Sequence, residues 1–303
     1  MTTKFLNYPD WQKTADTLHM YLQIAGKVKL QRSERRPEWA HARMYLTVDG
    51  LTTGILSGDI YPFEIFFNLR KHQVEVSSSE RKYIAIPLRD GLSVSRFYEQ
   101  ITLALKYIGS PTHINVRPQE FYDPVEFDLD EKHHSYDAKA VTLFLDNLQF
   151  AYCALMKFMS PFRGKVNNPA YYFGTMDLSC LVYSGEPLPF SHPEAKISAP
   201  AFDERYCEFG FWPGDFRTDQ PTFYVLPYPF ISDLEGYEAM LRPEKALFVP
   251  EKKEFFLTLG EALSYGNPIE AIVEFLQSSF DIVQKIKRWE HLDWIIQPLS
   301  YQK

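Results

Sequence analysis

Lys132-His133-His134-Ser135-Tyr136-Asp137 is the densest cluster of titratable side chains in the sequence. Imidazole titrates near neutrality and is the commonest metal ligand, so such a stretch could relay a proton or hold an ion. On an extended chain, adjacent side chains point opposite ways, which leaves one histidine at a time for a site. The competing reading is a helix entry with Asp137 as its cap. A second feature, Arg163-Gly164-Lys165, sets two cations at a helix end. They could complement the helix dipole, or reach a carboxylate or phosphate. Gly26-Lys27-Val28 repeats as Gly164-Lys165-Val166.

Two alternating stretches carry further candidates. His41, Arg43, Tyr45 and Thr47 share one face of a strand whose other face is Ala42, Met44, Leu46 and Val48. Tyr171, Phe173, Thr175 and Asp177 share a face in the same way. Turned toward each other, these faces would line a cleft with Arg43 and Asp177 in reach. Turned outward, they would meet water. Gly210-Phe211-Trp212-Pro213-Gly214-Asp215 is an aromatic turn whose Trp212 is either a lid on the core or a pocket wall. The ligand-binding candidates are therefore Lys27, Arg43, Tyr45, Lys165, Asp177 and Trp212. If chemistry follows binding, His41 or His134 would be the general acid or base.

The elements that must position these residues read as α+β. A helix over 11–25, capped by Asp10 and stopped by Gly26, precedes a meander of strand candidates at 42–48, 51–56, 61–69, 73–77 and 82–88. Ser93 caps a helix that ends at Gly109. A strand over 113–116 follows, and the acidic, Pro-containing stretch after it connects the halves. Asp137 caps a second long helix that Pro161 ends. Strands are expected at 171–175, 178–183, 206–211, 222–226 and 255–259, with a Pro-rich loop over 186–200. Asn267, Pro268 and Glu270 start a last amphipathic helix. The chain so divides into a first half (1–120), a connection (121–136) and a second half (137–303), the two packing as one unit. The repeated order of helix, strands and helix suggests an internal duplication about a pseudo-two-fold axis.

Composition excludes several classes. The chain has 303 residues, a formal charge of −7 and a sequence pI near 5.7. That acidity argues against general affinity for nucleic acid or anionic membrane. There is no long apolar span, and the first ten residues carry no signal-like pattern, so a cytosolic protein is expected. Three cysteines without close spacing suit a reducing compartment and provide no zinc site. The motifs H-E-x-x-H, G-x-x-x-x-G-K-[ST], G-x-G-x-x-G and G-x-S-x-G are absent, so no metal or cofactor is implied. Aromatic residues make up 16% of the chain. They fill either a large core or an aromatic-lined pocket.

Thr17-Leu18-His19-Met20, Gln23-Ile24-Ala25-Gly26-Lys27-Val28, Gly50-Leu51-Thr52-Thr53, His134-Ser135-Tyr136-Asp137, Gly164-Lys165-Val166, Asp177-Leu178 and Gly210-Phe211-Trp212-Pro213-Gly214 occur in this order. Together they resemble a bacterial family catalogued as DUF5996, a domain of unknown function. The resemblance spans nearly the whole chain and implies no activity. The family pattern has a histidine and a tryptophan where this chain has Ala170 and Phe173, so a site built on that histidine is altered here. His19, Trp39 and His41 stand where the pattern has similar residues. The function expected is binding of a small polar or anionic ligand in an aromatic-lined cleft. The alternative is an interaction or structural module, with a flat apolar face in place of a cleft.

Overall fold

The computed structural model describes residues 4–299. Helix α1 (Tyr8–Arg32) is followed by the antiparallel strands β1 (Tyr45–Leu46), β2 (Gly50–Thr52), β3 (Phe63–Asn68), β4 (Gln73–Ser78) and β5 (Tyr83–Pro87), paired in sequence order. Helices α2 (Val94–Tyr107) and α3 (Ala138–Met159) lead into β6 (Val166–Tyr172) and β7 (Asp177–Pro187). A single turn, α4 (Ser198–Ala201), precedes β8 (Glu204–Trp212), β9 (Thr222–Tyr228), β10 (Leu247–Val249) and β11 (Glu254–Thr258). The short α5 (Leu259–Leu263), the long α6 (Pro268–Lys287) and the short α7 (Leu292–Ile295) complete the described chain. The second sheet has the order β10-β11-β9-β8-β7-β6 and is also antiparallel. The fold is α+β, and no described helix is long and apolar enough to cross a membrane.

Alternation decides how the second sheet is used. Leu178, Cys180 and Val182 of β7, Cys207, Phe209 and Phe211 of β8, Phe223 and Val225 of β9, and Phe255 and Leu257 of β11 are all buried. They face α3 and α6, whose apolar stripes cover that side. The opposite side carries Asp177, Glu208, Trp212, Tyr224 and Glu254, and is the floor of a cleft. An isolated bridge between Met44 and Tyr171 ties the first sheet to the second, and buried residues of both stretches form one continuous core.

Several local expectations need correction. Asn7, not Asp10, caps α1; Asp10 instead accepts the Asn7 N–H from the third helical position. Gly26 does not stop α1, which runs on to Arg32. Its missing side chain serves packing, because a Cβ there would lie 2.1 Å from the Phe173 ring. The first strand shrinks to Tyr45–Leu46, with His41 in a turn and Arg43 in the irregular segment before it. No strand forms over 113–116, and the reason is physical. Side chains of α1 take up the backbone on either side of that stretch: Arg32 donates to Pro111 O, Lys27 to Arg117 O and Gln23 to Gln119 O, while Gln119 N donates back to Gln23 Oε1; within it, Val116 O accepts the Phe127 N–H. Buried polar groups need such partners, and here a helix supplies what a neighbouring strand would otherwise provide. The two Gly-Lys-Val triplets sit in different structure, one inside α1 and one in the loop that enters β6.

Candidate functional site

The cleft is a cavity of about 600 Å³ above the free side of the second sheet, within the range of small-molecule sites. β7, β8, β9 and β11 provide its floor. The β6–β7 turn (Phe173 to Met176), the N-terminal part of α1, the 119–122 stretch, Glu38 and Trp39, and α4 with its flanks provide the walls. Trp39 and α4 are held together where the indole Nε1 donates to Ile197 O at 2.9 Å. On the opposite wall, His19 Nε2 lies 3.0 Å from the carbonyls of Phe173 and Gly174. Gln23 Nε2 also approaches this ring nitrogen, at 3.1 Å, so three polar groups hold the imidazole in place. Burial pushes the His19 pKa down to about 4, which keeps the imidazole neutral. It acts as a brace for the β6–β7 turn.

At the centre of the floor, Tyr224 Oη stands 2.5 Å from Asp177 Oδ2 and 3.1 Å from Glu208 Oε1. Register explains how one phenol reaches both. Tyr224 pairs with Gly210 across β8 and β9, and a Cβ at Gly210 would lie 2.4 Å from the phenol ring. The ring lies flat over the glycine and carries its hydroxyl toward β7. Thr175 Oγ1 donates to the other Asp177 oxygen.

A phenol has one proton to give, and burial holds the Tyr224 hydroxyl well above its ordinary pKa, so it stays protonated. It donates to Asp177 along the shorter contact. Glu208 can join the chain only by donating its own proton to Tyr224 Oη. The electrostatics agree: burial, and then the Asp177 charge, push the Glu208 carboxyl up to about 7. Burial raises Asp177 as well, against the hydrogen bonds from Thr175 and Tyr224. Glu254 is pushed up to about 7 by burial, with Lys252 opposing and Asp177 adding. Carboxylates crowded in a partly dry site retain protons near neutrality.

Of the residues singled out in the sequence, Asp177 and Trp212 line this cleft, as do Phe173 and Thr175 from the same alternating stretch. Tyr171 does not; it is fully buried beside Phe144 of α3. The others lie elsewhere. Lys27 donates to Arg117 O, and Arg43 to Ala40 O. Tyr45 is exposed and stacks under the Lys29 ammonium. Lys165 bridges Glu38 and Glu204, and these partners raise its pKa even though burial opposes. His41 accepts the Arg36 N–H and stacks on Trp39, just behind the wall. His134 is exposed, and its neighbour His133 is buried with Nδ1 2.7 Å from Asp130 Oδ2. The carbonyls of the same two residues accept the Val94 and Ser95 N–H groups at the start of α2, and the two histidines share no site.

Sequence reasoning missed Glu208, Tyr224, Glu254 and Asp16 of α1, and singled out His19 only through the family resemblance. One signal was available: Tyr206, Glu208, Gly210 and Trp212 alternate with Cys207, Phe209 and Phe211, which marks a polar face inside an aromatic-rich strand. Among the described residues, no group of three or more His, Cys, Asp or Glu side chains is placed to hold a metal ion.

An α+β protein with an acid-floored aromatic cleft is thus defined by its own geometry. The chain belongs to DUF5996, a family of unknown function whose profile matches residues 4–294. No curated protein and no solved structure matches it.

Proposed function

We propose that this protein binds a small polar molecule in the cleft, with Asp177, Tyr224 and Glu208 as the recognition floor. The observation that carries this reading is the carboxyl–phenol–carboxyl chain, with Asp177 and Tyr224 buried and Glu208 half-buried, facing an open cavity. Carboxyl groups placed in a poorly solvated site cost stability unless paired. Neither Asp177 nor Glu208 makes a salt bridge with any described residue. Ordinary core packing gives no reason for such a floor, and recognition of hydrogen-bond donors does. The aromatic walls (Trp39, Phe121, Tyr172, Phe173, Trp212) supply the apolar contact typical of ligand sites.

An anionic ligand, expected from Lys27 and Lys165, loses its basis: Lys27 donates to Arg117 O, and Lys165 is already held by Glu38 of the wall and by Glu204. Acid–base chemistry on the bound molecule is the second reading. It is favoured by one observation: the Glu208 carboxyl, held near 7, is matched to proton transfer at neutral pH. An interaction module would call for a flat apolar face, whereas polar groups here converge in a concavity.

The experiment is a fragment screen by ligand-observed NMR on the native protein and on Ala201→Trp, which plugs the cavity from its α4 wall. Fragments that bind the native protein and are lost in the plugged variant support the reading. A screen in which no fragment distinguishes the two proteins overturns it.

A further inference from the structure

The chemical class of the occupant can be read from what the lining lacks. Seven carboxyl side chains border the cleft, Asp16, Glu38, Glu120, Asp177, Glu208, Asp215 and Glu254, against one ammonium, Lys252. Glu38 is neutralised by Lys165, and Asp16 is held by hydrogen bonds from Tyr8 and Tyr122. Asp177, Glu208, Glu254 and Glu120 have no cationic partner within salt-bridge distance among the described residues. The carboxyl groups that border the cavity far outnumber its one ammonium, so the group they lack is a cationic donor.

One independent observation points the same way. The fold already seats one ammonium in this environment: Lys252 Nζ lies 5.0 Å from the Trp212 ring centroid and 5.2 Å from that of Phe256, beside Glu254. Cations bind well over aromatic faces when a carboxylate is near.

We infer that the ligand is a small organic cation, whose ammonium or guanidinium group sits against Asp177, Glu208 and Glu254 while its apolar part lies on the aromatic walls. This rests on the small-molecule reading above and narrows it by charge.

The test uses three probes of one shape: benzylamine (cation), benzyl alcohol (neutral) and benzoate (anion). Each is titrated calorimetrically into the native protein, into Glu208→Gln/Glu254→Gln and into Lys252→Met. Benzylamine should bind the native protein at least roughly tenfold more tightly than benzyl alcohol, and benzoate should not bind. The double variant should lose most of that preference, because its amides keep the shape and remove the charge. Lys252→Met should bind benzylamine more tightly, because the resident ammonium no longer competes; a purely structural role for Lys252 would not produce that gain. Equal or tighter binding of benzyl alcohol or benzoate overturns the inference and leaves the cleft as a ligand site. If none of the probes binds while fragments sensitive to Ala201→Trp are found, the inference again falls alone. If those are absent too, both readings fall.

Discussion

Replacing Gly210 by alanine should expel the Tyr224 phenol from the floor of the cleft. The new Cβ would stand 2.4 Å from Tyr224 Cζ and 2.5 Å from both Cε1 and Oη. Ordinary carbon contacts are near 3.5–4.0 Å, so the ring must shift by more than about 1 Å. A shift of that size takes Oη out of reach of Asp177, now at 2.5 Å, and of Glu208, at 3.1 Å. Forced repacking costs about 1–3 kcal/mol. Loss of a hydrogen bond to a charged group costs about 1.5–3 kcal/mol more. Alanine recovers about 0.5–1 kcal/mol over glycine in a strand interior. The net expectation is a loss of about 2–5 kcal/mol. In a Tyr224→Ala background no ring is left to displace, so the same substitution should be neutral or stabilise by up to about 1 kcal/mol. Urea unfolding of the four proteins in the double-mutant cycle reads the difference directly. Equal costs in the two backgrounds, within about 0.5 kcal/mol, would refute the account of how the floor is built.

Two further outcomes follow from the same geometry. The Glu208 carboxyl has a folded pKa of about 7, above its ordinary value, so the stability it confers is present in acid and is lost as pH rises from about 4.5 through about 7. Unfolding measured across that range should show Glu208→Gln gaining on the native protein by on the order of 3 kcal/mol and levelling off above neutrality; parallel profiles would contradict it. Gly26→Ala should drive a Cβ to 2.1–2.5 Å from the Phe173 ring and lower the thermal midpoint, and Phe173→Ala should remove most of that penalty. A penalty unchanged in the Phe173→Ala background would show that the ring is not the obstacle.

Features written in short-range pattern were legible. Ser93, Asp137 and Asn267 each cap the helix expected of them, accepting backbone N–H groups at its start. The last helix and the strands expected at 178–183, 206–211, 222–226 and 255–259 also lie close to where alternation puts them, whereas the strand expected at 171–175 ends at Tyr172 and residues 173–175 form the β6–β7 turn. Gly26 misled because a mid-helix glycine that makes room for an aromatic ring looks, in one dimension, like a helix stop. The 113–116 stretch misled for a complementary reason. Its apolar alternation is real, yet no described strand pairs with it, and its flanks are tied to α1 by Lys27, Gln23 and Arg32. The floor of the cleft was only half visible. Asp177 and Trp212 stood out, but Glu208, Tyr224 and Glu254 come from three strands, and only register brings them together.

That register also separates what is fixed from what can adapt. The carboxyl groups of the floor project from β7, β8 and β11, strands bonded into a sheet whose other face is buried against α3 and α6. Their spacing cannot relax without disturbing that core, so their mutual repulsion is built in and is relieved by proton retention or by a cation. The walls are of another kind. Trp39, the 119–122 stretch and α4 come from turns and short helices, and the main tie between Trp39 and α4 is a single indole hydrogen bond. A rigid charged floor under an adjustable aromatic wall selects ligands by charge first and by shape second. This is why probes matched in shape and different in charge are the decisive reagents for this site.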